Sequence, residues 1–187
     1  MRVLSNKRLK LAGARRLWNE SFFSAPQLKS HSLGLMSGNR ATAILSALKP
    51  LVSKPMWEAG WAGDIAWFQF GERVTRRKRG GGKREVGEYA VHVSSCWTWR
   101  TESGFIRADE DSTDLSQLGL LMARVESSNA DESGRLTLRF DNGDVLELEP
   151  DVSSNEADGI EYWRLFQPGL ETPHVVSSNV GIEWHEA

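Results

Sequence analysis

The chain has 187 residues, 40% apolar and 26% charged, enough for one globular domain whose eight Trp and seven Phe can fill a substantial core. A single cysteine, Cys96, excludes an internal disulfide framework, and no apolar run reaches the length of a bilayer-spanning helix. The net charge of −2 conceals a division: residues 1–100 carry 18 Lys and Arg against 6 Asp and Glu, while residues 101–187 carry 5 against 19. Such asymmetry bears on fields and partners, not on fold.

Residues 1–35 hold seven Lys and Arg, one acid (Glu20), many Ser and no sustained periodicity. Arg15 and Arg16 interrupt the one apolar stretch there, which argues against a secretory signal, so cytoplasm is the expected compartment. We read 1–35 as a disordered or spurious extension, ahead of transit-peptide or nucleic-acid-arm readings of the same composition. Met36 is then the expected start of a single domain over 36–187. A helix is predicted over 39–49: Asn39 suits an N-cap, Ala41, Ile44, Leu45 and Leu48 share a face, and Pro50 favours a stop. Pro55, Gly60 and Gly63 then punctuate an expected loop bearing Trp57 and Trp61.

Everything beyond reads as strands. Residues 65–70 form a short aromatic run. Residues 88–100 alternate as one long strand, with Tyr89, Val91, Val93, Trp97 and Trp99 on the core face, and 105–108 as its return partner. Residues 120–126 alternate again, with a helix over 115–124 as the competing assignment. In 135–149, a two-residue Asn142-Gly143 turn would set charge against core. A three-residue turn, Asp141-Asn142-Gly143, instead pairs Leu138 with Leu146, Leu136 with Leu148 and Arg135 with Glu149, with Gly143 left-handed. Short strands follow at 160–166, 175–177 and 182–184. The fold class expected is α+β: one N-terminal helix packed on a curved, mostly antiparallel sheet or half-barrel of about eight short strands.

Candidate chemistry is sparse. Arg73, Arg76, Arg77, Lys78, Arg79, Lys83 and Arg84 surround Gly80-Gly81-Gly82 at an expected flexible hairpin tip, a cation cluster suited to phosphate backbone. It is no phosphate loop, because Arg77 stands where the first Gly belongs and Arg84 where Ser or Thr must follow the Lys. The bland alternative, ranked somewhat ahead of nucleic acid, is a solvated loop or one that pairs with the acidic half of the same domain. His92 and Cys96, four apart on the expected strand, are separated by about 13 Å and cannot form a nucleophilic pair. One Cys and four scattered His give no metal-ligand spacing. Asp109, Glu110, Asp111 and Asp114 lack the Gly and Glu that a calcium loop needs at its sixth and twelfth positions. No catalytic motif is present, and neither a cofactor nor a metal is expected.

The hairpin GRLTLRFDNGDVLELEP, the segment Glu161-Tyr162-Trp163-Arg164-Leu165-Phe166, VGEYAVHVSSCW and PHVVSS together resemble a family of small uncharacterised bacterial proteins. Their pattern is similar to Gly-x-Leu-x-Leu-x-Phe followed by Glu-x-Trp-Arg-Leu/Phe, and the likeness covers the chain from about Met36 onward. It implies fold and no catalytic residues. By analogy of size and style, it points toward immunity proteins of toxin systems. The leading expectation is a non-enzymatic protein-binding module that meets a basic partner through its acidic half around Glu147, Glu149 and Glu161. The alternatives are a nucleic-acid binder using residues 73–84, and an enzyme whose site is built from dispersed residues. No membrane role is expected.

Overall fold

The computed structural model describes residues 40–77, 80–107, 115–120, 122–150 and 160–186. The basic head, Asn39 and the acidic segments at 109–114 and 151–159 lie outside the described residues.

Helix α1 (Arg40–Leu48) buries Ile44, Ala47 and Leu48, the apolar stripe of its sequence. Pro50 ends the α-helix, yet the chain turns once more as a 3-10 helix, Lys49–Leu51. A proline so early in a helical turn forfeits no needed N–H. The Glu132 carboxylate accepts from the backbone N–H groups of Arg40 (3.1 Å) and Ala41 (3.4 Å). It supplies the negative charge that a helix N-terminus favours.

Eleven strands follow among the described residues, in two antiparallel sheets. They are β1 (Met56–Ala62), β2 (Ile65–Arg77), β3 (Lys83–Val93), β4 (Cys96–Thr101) and β5 (Gly104–Arg107), then, after a short helix α2 (Ser116–Leu120), β6 (Val125–Ala130), β7 (Leu136–Phe140), β8 (Val145–Glu149), β9 (Glu161–Phe166), β10 (His174–Ser178) and β11 (Gly181–His185). The six-stranded sheet runs β1-β2-β3-β9-β10-β11, and the five-stranded sheet β5-β4-β8-β7-β6. Their inner faces share one core. Phe68 of β2 stands edge-on to Trp97 (5.7 Å) and stacks near Trp99 (6.4 Å), both on β4, while Trp99 tilts against Phe140 of β7 (4.7 Å). Each such fully buried large side chain contributes about 1.5–3 kcal/mol by leaving water. Helix α1 tethers the two sheets, since the guanidinium of Arg40 donates to the Ser178 carbonyl (2.7 Å) on β10 while Glu132 sits in the turn after β6.

The α+β, mostly antiparallel expectation holds in outline, but among the described residues the sheet is two sheets and the strands number eleven. The expected single strand at 88–100 is β3 and β4, with Ser94-Ser95 between them carrying the chain from one sheet to the other. Ser94 is pinned to the start of β9, its N–H donating to the Tyr162 carbonyl (3.0 Å) and its hydroxyl to the Glu161 carbonyl (2.6 Å). Alternation is blind to this break, because Val93 and Trp97 face the same core from opposite sheets. The expected Trp-bearing loop is strand β1. Gly60 there makes room for the indole of Trp67: a Cβ at position 60 would lie 2.4 Å from that ring. Gly63, at φ +65°, takes the first central position of the two-residue β1–β2 turn, where glycine is required. At 115–126 neither assignment holds throughout: the segment divides into α2 and the start of β6.

The three-residue turn is as the pattern demands. Leu136 pairs with Leu148 and Leu138 with Leu146, Gly143 has φ +87°, and Arg135 reaches Glu149 at 3.2 Å. Among the described residues, no helix is long and apolar enough to cross a membrane.

Candidate nucleic-acid interface

Strands β2 and β3 are longer than their neighbours. β1 pairs with β2 only as far as Phe70, and β9 pairs with β3 only from Ala90 to Val93. Beyond these points, residues 73–77 and 83–87 pair, among the described residues, with each other alone, as a two-stranded arm. A bulge marks where it leaves the sheet: the register shifts between Phe70 and Arg73, with Gly71 at φ +80°. Bulges bend and twist a ribbon, so the arm is re-aimed at this point. Lys54 braces the bulge through Glu88 (2.7 Å), and this hydrogen bond raises the pKa of the ammonium.

The basic cluster lies on this arm. Sequence reasoning placed it on a flexible tip, but Arg73, Arg76, Arg77, Lys83 and Arg84 are paired strand residues; Lys78 and Arg79 lie outside the described residues. Arg73 covers the Trp57 ring at 4.6 Å and stands 3.7 Å from Glu85. The Nε of Arg76 donates to the Pro168 carbonyl (3.1 Å), with its stem against Gly169 of the β9–β10 connection. Arg77, Lys83 and Arg84 are exposed and have no carboxylate partner among the described residues. The register sets Arg76 opposite Arg84 and Arg77 opposite Lys83, two successive like-charged pairs. Directly opposed like charges destabilise a ribbon. For unit charges roughly 6 Å apart in water the repulsion is about 0.7 kcal/mol per pair.

The three acidic candidates are not brought together. Glu147 and Glu149 lie on β8 of the five-stranded sheet, while Glu161 opens β9 of the other. Each is joined to an arginine. Arg100 reaches Glu147 at 2.6 Å, Arg135 reaches Glu149 at 3.2 Å, and Arg164 grips both oxygens of Glu161 at 3.0 and 2.6 Å. Arg100 and Arg139 pair with Val145 on either side, so the surface around Glu147 is mixed in sign. The sequence signal misled here because alternation sorts residues by face and is silent on which charge lies across the ladder.

His92 and Cys96 are on different sheets, not on one strand, with Cys96 exposed. His92 faces outward from the six-stranded sheet. Burial pushes its pKa down to about 4, helped by Arg164, His174 and Arg84 nearby. Among the described residues, no group of three His, Cys, Asp or Glu is placed to hold a metal.

A set of aromatic residues that the sequence reading left unassigned lies on the same outer face. Phe166 meets His92 edge-on (4.7 Å) and His174 at a tilt (4.9 Å). Trp67 pairs across the ladder with His92 and lies over Gly60. The available signal was the alternation within β2, where Ala66, Phe68 and Phe70 are buried and Trp67 and Gln69 point the other way.

Fold and site thus define a two-sheet antiparallel protein bearing a cationic two-stranded arm beside an aromatic outer face. Compared with known protein families, with curated proteins and with solved structures, the chain has no match.

Proposed function

We propose that the chain binds nucleic acid, with the β2–β3 arm laid along the phosphate backbone. The observation that carries this reading is the two pairs of opposed cations, Arg76 with Arg84 and Arg77 with Lys83, on a ribbon that no other described strand flanks. Apart from the bond of Arg76 to Pro168 and the attraction of Arg84 for Glu58, the opposed cations repel, and a polyanion relieves that repulsion and releases its own counterions. The glycines at 80–82 support close approach: Gly81 and Gly82 have positive φ, and no atom stands within 4 Å of where a Cβ would project. The protein-partner reading draws less support, because its three carboxylates are split between sheets and neutralised by Arg100, Arg135 and Arg164.

The test is fluorescence anisotropy with the full chain and labelled oligonucleotides, titrated between about 50 and 200 mM salt. Replacing Arg77, Lys83 and Arg84 together by Ala should lower the slope of log affinity against log salt by about 2–3, roughly one per lost phosphate contact. No binding by the wild type at the lowest salt, or equal binding by the variant, overturns the proposal. A basic protein captured instead, and released by Glu147→Lys with Glu149→Lys, returns the partner to the acidic residues.

A further inference from the structure

Resting on the reading of the arm, we infer that the preferred ligand is single-stranded, and that the outer face of the six-stranded sheet is the platform on which its bases stack. The ladder aligns Trp67 of β2 with His92 of β3, and His92 with Arg164 of β9. Phe166 and His174 continue the aromatic row onto β9 and β10. With strands about 4.8 Å apart, four strands carry this row over roughly 14 Å, room for two or three unstacked bases.

Trp67 is the anchor. Glycine at position 60 lets one side of the indole approach the backbone, and the ring makes no aromatic contact with another described residue. The part of the ring that stays accessible is the stacking surface of this proposal. A core tryptophan would point inward with Phe68, but the alternation of β2 turns Trp67 away from the shared core, and the ring is only half-buried. The buried residues of α1 and α2 belong to the core between the sheets, so neither described helix covers the outer face.

Platform and arm are continuous. Arg76 bonds to Pro168, two residues beyond Phe166, and the charge of Arg84 is felt at His92. Arg84 shares the face of β3 that carries His92, so a strand whose backbone meets Arg84 delivers its bases onto Phe166 and Trp67, while Arg77 and Lys83 on the other face of the ribbon add to the field of the arm. Arg164 is a positioning residue: Glu161 occupies its guanidinium, which contacts His174 at 3.3 Å and fixes that ring beside Phe166. A double helix keeps its bases stacked inside and has no use for such a surface. The occupant is thus single-stranded, chosen by cationic arm and aromatic platform together.

The experiment compares an unlabelled oligothymidylate with a duplex of equal length as competitors for the full-length protein. The wild type should prefer the single strand. Trp67→Ala and Phe166→Ala should each weaken single-strand binding roughly 5- to 150-fold, the range for losing one stacked base, with the salt slope and duplex affinity unchanged. Trp67→Phe should restore most of the loss, which separates stacking from misfolding, and circular dichroism and thermal melting monitor the fold of each variant. Equal affinity for duplex and single strand, or no effect of either alanine in a folded protein, overturns the platform while leaving the arm intact. Absence of any nucleic-acid binding removes the arm, and the platform falls with it.

Discussion

Two buried tryptophans in this core should answer the same substitution in opposite ways. Trp99 and Trp163 are both almost inaccessible, at 0% and 1% exposure. The indole N–H of Trp99 donates to the Asp144 carboxylate at 3.2 Å, whereas that of Trp163 has no acceptor among the described residues. Trp→Phe removes roughly 40 Å³ of side chain, which costs about 1 kcal/mol at 24 cal/mol per Å³ of cavity. At position 99 the change also removes a hydrogen bond to a buried carboxylate, worth about 1.5–3 kcal/mol, so the total loss should be about 2–4 kcal/mol. At position 163 it removes a donor that was buried without a partner, a relief of about 1–3 kcal/mol, and the net should lie between neutral and about 2 kcal/mol stabilising. Urea denaturation followed by circular dichroism measures both, with the m-value checking that the unfolding transition is unchanged. If Trp163→Phe costs as much as Trp99→Phe, the reasoning about the unpaired indole is refuted.

Trp163→Ala should cost about 3–5 kcal/mol, as for other large buried aromatics, and urea midpoints will show it. Stability should fall with acid through His92: its folded pKa of about 4 lies below the ordinary 6.5, so the unfolded chain binds the proton first. The loss begins near pH 6.5, is complete below about pH 4, and amounts to about 3 kcal/mol at most. His174, lowered chiefly by burial, adds in the same direction, and His92→Phe should remove the greater part of the slope in a pH series of denaturation midpoints. Gly143→Ala should cost about 1 kcal/mol by melting temperature, entirely from the backbone, because φ is +87° and a Cβ there meets no atom within 4 Å.

The register of β7 with β8 was legible in the sequence. A one-residue slip from the pairing of Leu138 with Leu146 would have placed Arg139 or Glu147 in the core, and the cost of burying a charge excludes the shorter turn that such a slip requires. The same holds for Trp163 and Leu165 facing inward while Arg164 faces out. Helix α1 was legible because its stripe has a period that no strand shares. Tertiary structure alone decided which sheet each strand joins. A period-two pattern records only that a residue faces the core, and both sheets face the same core, so the crossing at Ser94-Ser95 left no mark on the alternation. The candidate site was hidden for a related reason. Opposition of Arg76 to Arg84, the joining of Glu147 to Arg100, and the row from Trp67 to His174 are relations across a ladder between residues distant in the chain. Their energies depend on which residues become neighbours, and neighbours across strands are fixed by the fold as a whole and not by any local run of sequence.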